Sequence, residues 1–263
     1  MRYILLTLVL LLCLAPTLAT DYTLDENCTL SDAIRAANAD EERGECPAGD
    51  GADLITLSAD ITLEGELPRV LSELTIDGAG FSISGDQQFR IFYVDRGGAL
   101  TLQNIHLTEA LAHNEVSFTF VDGVTGRSKS GGAILVNRGS RLELISSRFT
   151  DNVAEAYGGV LDSWDSEINI VDSEFSGNMA GDGGAIGSAF SVVTISNSSF
   201  DGNTAAQTGG ALQVFNGTAI VSDTQFSGNI AAEDGGVINV FAGTVEQSGN
   251  SFSDNEGGDC AGC

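Results

Sequence analysis

The sequence predicts an all-β right-handed parallel β-helix of about eight coils, with a short N-terminal capping helix. Three observations predict it. Phe-x-x-Asn elements recur, Gly-Gly pairs recur ahead of short apolar runs, and the runs between them alternate apolar with polar residues. The first set is Phe149-Thr-Asp-Asn152, Phe175-Ser-Gly-Asn178, Phe200-Asp-Gly-Asn203, Phe226-Ser-Gly-Asn229 and Phe252-Ser-Asp-Asn255, at steps of 26, 25, 26 and 26 residues. The second is GGAI at 131, GGVL at 158, GGAI at 183, GGAL at 209 and GGVI at 235. Alternation, as at Leu142/Leu144, Ile168/Ile170 and Val193/Ile195, marks strands with one buried face. A coil of this length cannot bury its apolar face alone. Stacking at about 4.8 Å per coil pairs each strand with its equivalents above and below.

From the N-terminus, Arg2, the apolar run 4–14 and Thr17-Leu18-Ala19 have the order of a secretory leader, so residues 1–19 are expected to be removed. The run is short for a membrane span and polar sequence follows at once, so no transmembrane segment is expected in the mature chain. Residues 20–50 form an N-terminal cap. Within it, residues 29–40 read as an amphipathic helix with Thr29 or Ser31 as N-cap, Asp32 in the first turn, and a stripe of Leu30, Ala33, Ile34 and Ala37. Such a helix covers the exposed edges of the first coil.

Residues 51–263 are expected to be the solenoid. The later Phe residues would stack as an internal column, and the five Asn residues as a ladder at one turn, where Asn tolerates left-handed backbone and its amide can hydrogen-bond between coils. Gly-Gly supplies another corner. Earlier coils are degenerate; Leu107 stands 26 residues after Phe81, and both are placed in the Phe column. The 42-residue gap from Leu107 to Phe149 holds one coil plus an insertion at about 109–130. That insertion, with the alternating run Val116-Ser-Phe-Thr-Phe-Val121, is the element where binding is expected, since long loops on rigid scaffolds carry function.

Four cysteines follow the leader: Cys28, Cys46, Cys260 and Cys263. In an exported chain they read as disulfides, with Cys28–Cys46 and Cys260–Cys263 the local pairing. No histidine lies near them, so zinc is not expected. With 11 Lys and Arg against 37 Asp and Glu, the formal charge is −26. Phosphate would be repelled, which excludes a nucleic-acid partner. The acids are scattered, so no metal site and no cofactor is assigned; Ca²⁺ is the cation an acidic surface of this kind would take.

Two resemblances add to this. The paired Gly-Gly-Ala-Ile and Phe-x-x-Asn elements resemble the repeats of chlamydial polymorphic outer-membrane proteins and related bacterial β-helix proteins. Cys28-Thr-Leu-Ser-Asp-Ala-Ile34 followed by Ala37-Asn38 resembles the Cys-Ser-Leu-Arg-Glu-Ala-Ile motif of the CSLREA domain of exported bacterial proteins, with Ser31 and Asp32 replacing its Arg and Glu. Gly51–Leu57, Leu74–Gly80 and Arg90-Ile-Phe92 follow the same pattern. The resemblance implies fold and export, to the cell surface or the medium, and little about activity. It also makes the glycosylation sequons at Asn27, Asn197 and Asn216 chance matches.

The fold is shared with pectate lyases and polygalacturonases, so a catalytic site is a candidate reading. Asp162 and Asp165, with Arg138 or Arg141 as base and Trp164 to stack on a sugar, are the best catalytic set. Neighbouring coils lack the pattern, so the set reads more simply as exposed strand and turn residues. His106 points outward and His113 lies in the insertion; neither has the spacing of a metal site or a catalytic triad. The sequence therefore leans to a non-enzymatic secreted or cell-surface protein that binds carbohydrate or a surface protein. A polysaccharide lyase or glycoside hydrolase is the alternative.

Overall fold

The computed structural model describes residues 19–112, 116–119, 125–233 and 235–263. The leader expected over residues 1–19 therefore lies outside the described residues, apart from Ala19, as does His113. The body is a parallel β-solenoid. Its first sheet has nine strands, the second eight, the third seven and a short fourth five. Since the third sheet holds seven strands, about seven turns are complete, one fewer than expected. Each turn runs through a five-residue strand of the first sheet such as Glu167–Val171, a three-residue strand of the second such as Glu174–Ser176, a two-residue strand of the fourth such as Met179–Ala180, and a strand of the third such as Ile186–Ala189. Equivalent residues are in register from coil to coil, as in Leu100↔Leu142↔Ile168↔Val193↔Ala219.

This register makes columns of the repeated residues. The rings of Phe149, Phe175, Phe200, Phe226 and Phe252 stack with centroids 4.8, 4.6, 5.0 and 5.1 Å apart. Below Phe149 the column continues through Leu107 to Ile83, not Phe81. The step there is shorter than the later repeat, which moves Phe81 out of the strand to a partly buried position.

The Asn ladder is an interior feature. Asn152, Asn178, Asn203 and Asn229 have no exposed surface. Asn178 shows the arrangement: its Nδ2 donates to Asn203 Oδ1 at 2.9 Å and to the Phe149 carbonyl at 3.0 Å, and its Oδ1 accepts from the Asn152 backbone N–H at 3.0 Å. The left-handed backbone expected of these asparagines belongs to the residue before them: Asp151, Gly177, Gly202, Gly228 and Asp254 have φ of 56 to 64°. Asn is required for its amide, which satisfies backbone groups that the bend removes from the sheet.

The Gly-Gly corner has two requirements. Gly158 has φ +62°, and a Cβ at the next residue, Gly159, would lie 2.3 Å from the Gly184 carbonyl oxygen of the next coil. At the N-terminus the helix spans Leu30–Ala39, with the Thr29 hydroxyl accepting from Asp32 N–H at 3.2 Å. It buries Leu30, Ala33, Ile34, Ala36 and Ala37 against the core. A disulfide joins Cys28 to Cys46 beside it, and at the other end the sulfurs of Cys260 and Cys263 are brought together. Among the described residues no helix is long and apolar enough to cross a membrane.

Candidate functional site

The third sheet carries the most unusual outer surface. In a strand such as Leu161–Trp164 the pleat turns Leu161 and Ser163 inward and Asp162 and Trp164 outward. Register then sets two outward rows, parallel to the stack. One is Asp162↔Gly187↔Gln213↔Asn239, and the other Trp164↔Ala189↔Phe215↔Phe241.

The second row is aromatic except at Ala189, and there the next residue, Phe190, supplies the ring. Phe190 lies 4.9 Å from Trp164 and 5.7 Å from Phe215; Phe215 stacks on Phe241 at 5.4 Å. Phe190 occupies a corner with φ +55°. The equivalent corners hold Asp165, Asn216 and Ala242. A bulky residue in this conformation is strained. Its ring is nevertheless 45% exposed, so burial does not explain it. Among the described residues the exposed large aromatics are Tyr157, Phe190, Phe215 and Phe241, and all four belong to this surface.

Together the rows border a groove of about 530 Å³. Its polar side is tied together: the Thr208 hydroxyl donates to Asp182 Oδ1 at 2.7 Å and lies 2.8 Å from Gln213 Oε1, which accepts from Asn239 Nδ2 at 2.8 Å. Gly187 leaves the space in which Tyr157 and Asp162 sit, since a Cβ there would lie 2.9 and 3.0 Å from them.

Asp162 is half-buried at one end of the groove, and burial pushes its carboxyl up to about 7. The Arg90 guanidinium and hydrogen bonds from Ser130 and the Ser163 backbone oppose the shift. Arg90 is itself fixed, with Nε donating to the Gly131 carbonyl at 2.9 Å and a terminal nitrogen to the Ser130 carbonyl at 2.7 Å.

The proposed catalytic set is divided by this geometry. Asp162 and Trp164 line the groove. Asp165 follows in the corner and forms an exposed ion pair with Arg138 at 3.1 Å. Arg141 pairs with Glu167 at 3.1 Å on the first sheet. His106 is half-buried, with Nε2 2.8 Å from the Thr150 hydroxyl on the second sheet. Among the described residues, no group of three or more His, Cys, Asp or Glu is placed to hold a metal ion. The insertion contains an antiparallel hairpin, Val116–Thr119 with Thr125–Ser128, and the chain re-enters the solenoid through Ser130, which lines the groove.

Sequence reasoning missed the aromatic row, although a signal was present. Trp164, Phe215 and Phe241 each stand six residues after the first glycine of a Gly-Gly pair.

Three segments of the chain, residues 172–189, 197–214 and 223–240, match the Chlamydia polymorphic membrane protein (Chlamydia_PMP) repeat. Each segment contains the Phe-x-x-Asn turn and the Gly-Gly corner and runs into a strand of the third sheet. No curated protein and no solved structure matches the chain. The similarity is thus to a repeat, and the matched segments stop short of the ring positions Phe190, Phe215 and Phe241 and do not include Trp164.

Proposed function

We propose that this is a non-enzymatic binding protein of the bacterial surface or medium, and that it binds through the outer face of its seven-stranded sheet. The row Trp164, Phe190, Phe215 and Phe241 carries the reading. Leaving large rings in water forgoes the hydrophobic gain of burying them, and contiguous apolar patches of this kind mark interaction sites. The likeness to the Chlamydia repeat supports a surface location, and the leader-like residues 1–19 support export. In the same reading the solenoid is right-handed and pectin-lyase-like, because parallel crossovers within a sheet almost always take that hand, and the cap is of the CSLREA kind.

Binding of the purified chain to bacterial and host cells tests this directly. Phe215→Ala with Phe241→Ala should weaken it about tenfold or more, the size expected when two stacking contacts worth roughly 1 kcal/mol each are removed. Unchanged binding would refute the assignment of the face.

Asp162 favours a second reading. A carboxyl protonated near neutral pH is what a general acid requires. Asp162→Asn should then abolish release of reducing or unsaturated ends from a polysaccharide panel assayed with and without Ca²⁺. The separation of Asp165 and Arg138 from the groove leaves this reading without its second group.

A further inference from the structure

We infer that the ligand of this face is an uncharged polysaccharide chain lying parallel to the solenoid axis, its successive sugar units meeting successive coils. The inference rests on the reading of the face as a binding surface and names what it binds.

The two rows run in the stacking direction; each of the four coils contributes one ring, and three of them a polar side chain in the other row, Gly187 standing in the remaining one. A linear polymer with a short repeat can use such a surface many times over, gaining affinity with length through multivalency. A sugar unit has an apolar C–H face and a rim of hydroxyls. The C–H face suits the row of rings. The hydroxyls both donate and accept, and the opposite side of the groove offers both capacities: carboxylates at Asp162 and Asp182, amides at Gln213 and Asn239, and the Thr208 hydroxyl.

Charge selects among polysaccharides. None of the described residues lining the groove is Lys or Arg, two are acidic, and the chain carries −26 overall. Arg90, the nearest cation to Asp162, is committed to two backbone carbonyls. Polyuronates and sulfated chains are therefore disfavoured. A peptide adding itself as a strand is also disfavoured, because the strands flooring the groove are hydrogen-bonded to neighbours on both sides.

Phe190 supplies the independent observation. Its coil has Ala189 at the row position, and the gap is closed by a Phe in a strained corner that Asp, Asn or Ala occupies elsewhere. The corner's backbone gains nothing from Phe, and the ring's contacts are with the other rings of the row. An unbroken row matters to a ligand that touches every coil.

Calorimetry and affinity electrophoresis with length series of cello-, laminari- and oligogalacturonate oligosaccharides test the inference. The expected result is an affinity for a neutral series that climbs with length from disaccharide to about a tetrasaccharide, as one unit per ring requires, and at least about tenfold weaker binding of oligogalacturonates. Phe190→Asn relieves the strained corner and loses the ring's contacts with Trp164 and Phe215, opposing effects that should leave the melting temperature close to the parent's, while weakening the longest neutral ligands about tenfold. Preference for the anionic series, an affinity independent of length, or unaltered binding by Phe190→Asn would each overturn the inference. So would failure of every neutral chain to bind while cell binding still required Phe215 and Phe241. Loss of that requirement would instead overturn the assignment of the face.

Discussion

Asp162 shows how one residue type changes character within a row. Its direct register partners are Leu135 and Gly187, and Gln213 and Asn239 follow in the later coils, none of them ionisable. With its carboxyl held up to about 7 in the fold, Asp162 keeps its proton after an unfolded Asp has lost one at about 3.9. The native state then binds more protons than the unfolded state, so stability falls as pH rises from about 4 to about 7 and is level above that. Asp162→Asn should therefore gain on the order of 2 kcal/mol at pH 8 and little at pH 4, measured by guanidinium unfolding at the two pH values. An equal gain at both would mean that titration is not involved. Ser163 and Ser188 are a second residue-scale case. Both hydroxyls are buried without a partner, in an inward column whose other members are Val94, Val136, Val214 and Val240. Replacing each by Val should raise stability by about 1 kcal/mol per site, since an unsatisfied buried hydroxyl costs about 1–3 kcal/mol; a lower denaturation midpoint would contradict this.

At the scale of the element, what was readable from the sequence was what repeats. Alternation gave the strands, and the Phe step gave the column wherever the step stayed near 26 residues. It failed at Phe81, where the coil is shorter and Ile83 takes the place. The Asn ladder and the hydrogen bonds of its amides between coils were legible, but the left-handed backbone was assigned one residue too late, because spacing does not reveal whether a residue lies inside a bend or at its tip. A parallel hydroxyl ladder was overlooked. Ser147 N–H donates to Ser173 Oγ at 3.2 Å, Ser173 N–H to Ser198 Oγ at 3.2 Å, and Thr224 N–H to Asn250 Oδ1 at 3.0 Å. Its signal was a small polar residue two before each Phe. The groove was harder to read. Its ends come from different coils, its second ring leaves the expected position, and Asp162 and Asp165, three residues apart in sequence, are split by a corner at which Asp165 pairs with Arg138. Cross-coil ion pairs such as Arg148–Glu174 at 3.0 Å are exposed and add little to stability.

Over the whole molecule the solenoid is nearly one-dimensional, and each coil is held mainly by the coils beside it. This determines how far damage should travel. Asn203 sits mid-stack, fully buried; its Oδ1 accepts from the Asn178 backbone N–H at 3.1 Å and its Nδ2 donates to the Phe175 carbonyl at 3.0 Å and to Asn229 Oδ1 at 2.9 Å. Asn203→Ala strands a donor in the coil below and removes a donor from both neighbours, a loss of roughly 3 kcal/mol. Only adjoining coils share those bonds, so the loss should fade along the stack. Hydrogen exchange read by mass spectrometry should show peptides spanning 172–184 and 223–233 losing protection, while the strands Glu73–Asp77 and Ala99–Gln103 keep theirs. The capped end has its own support in the buried helix face and the Cys28–Cys46 disulfide, and this should make the gradient asymmetric, steeper toward the cap. Uniform loss of protection from one end to the other would show instead that the stack opens as a single cooperative unit. In that case the aromatic row could not be altered coil by coil without disturbing the rest of the face.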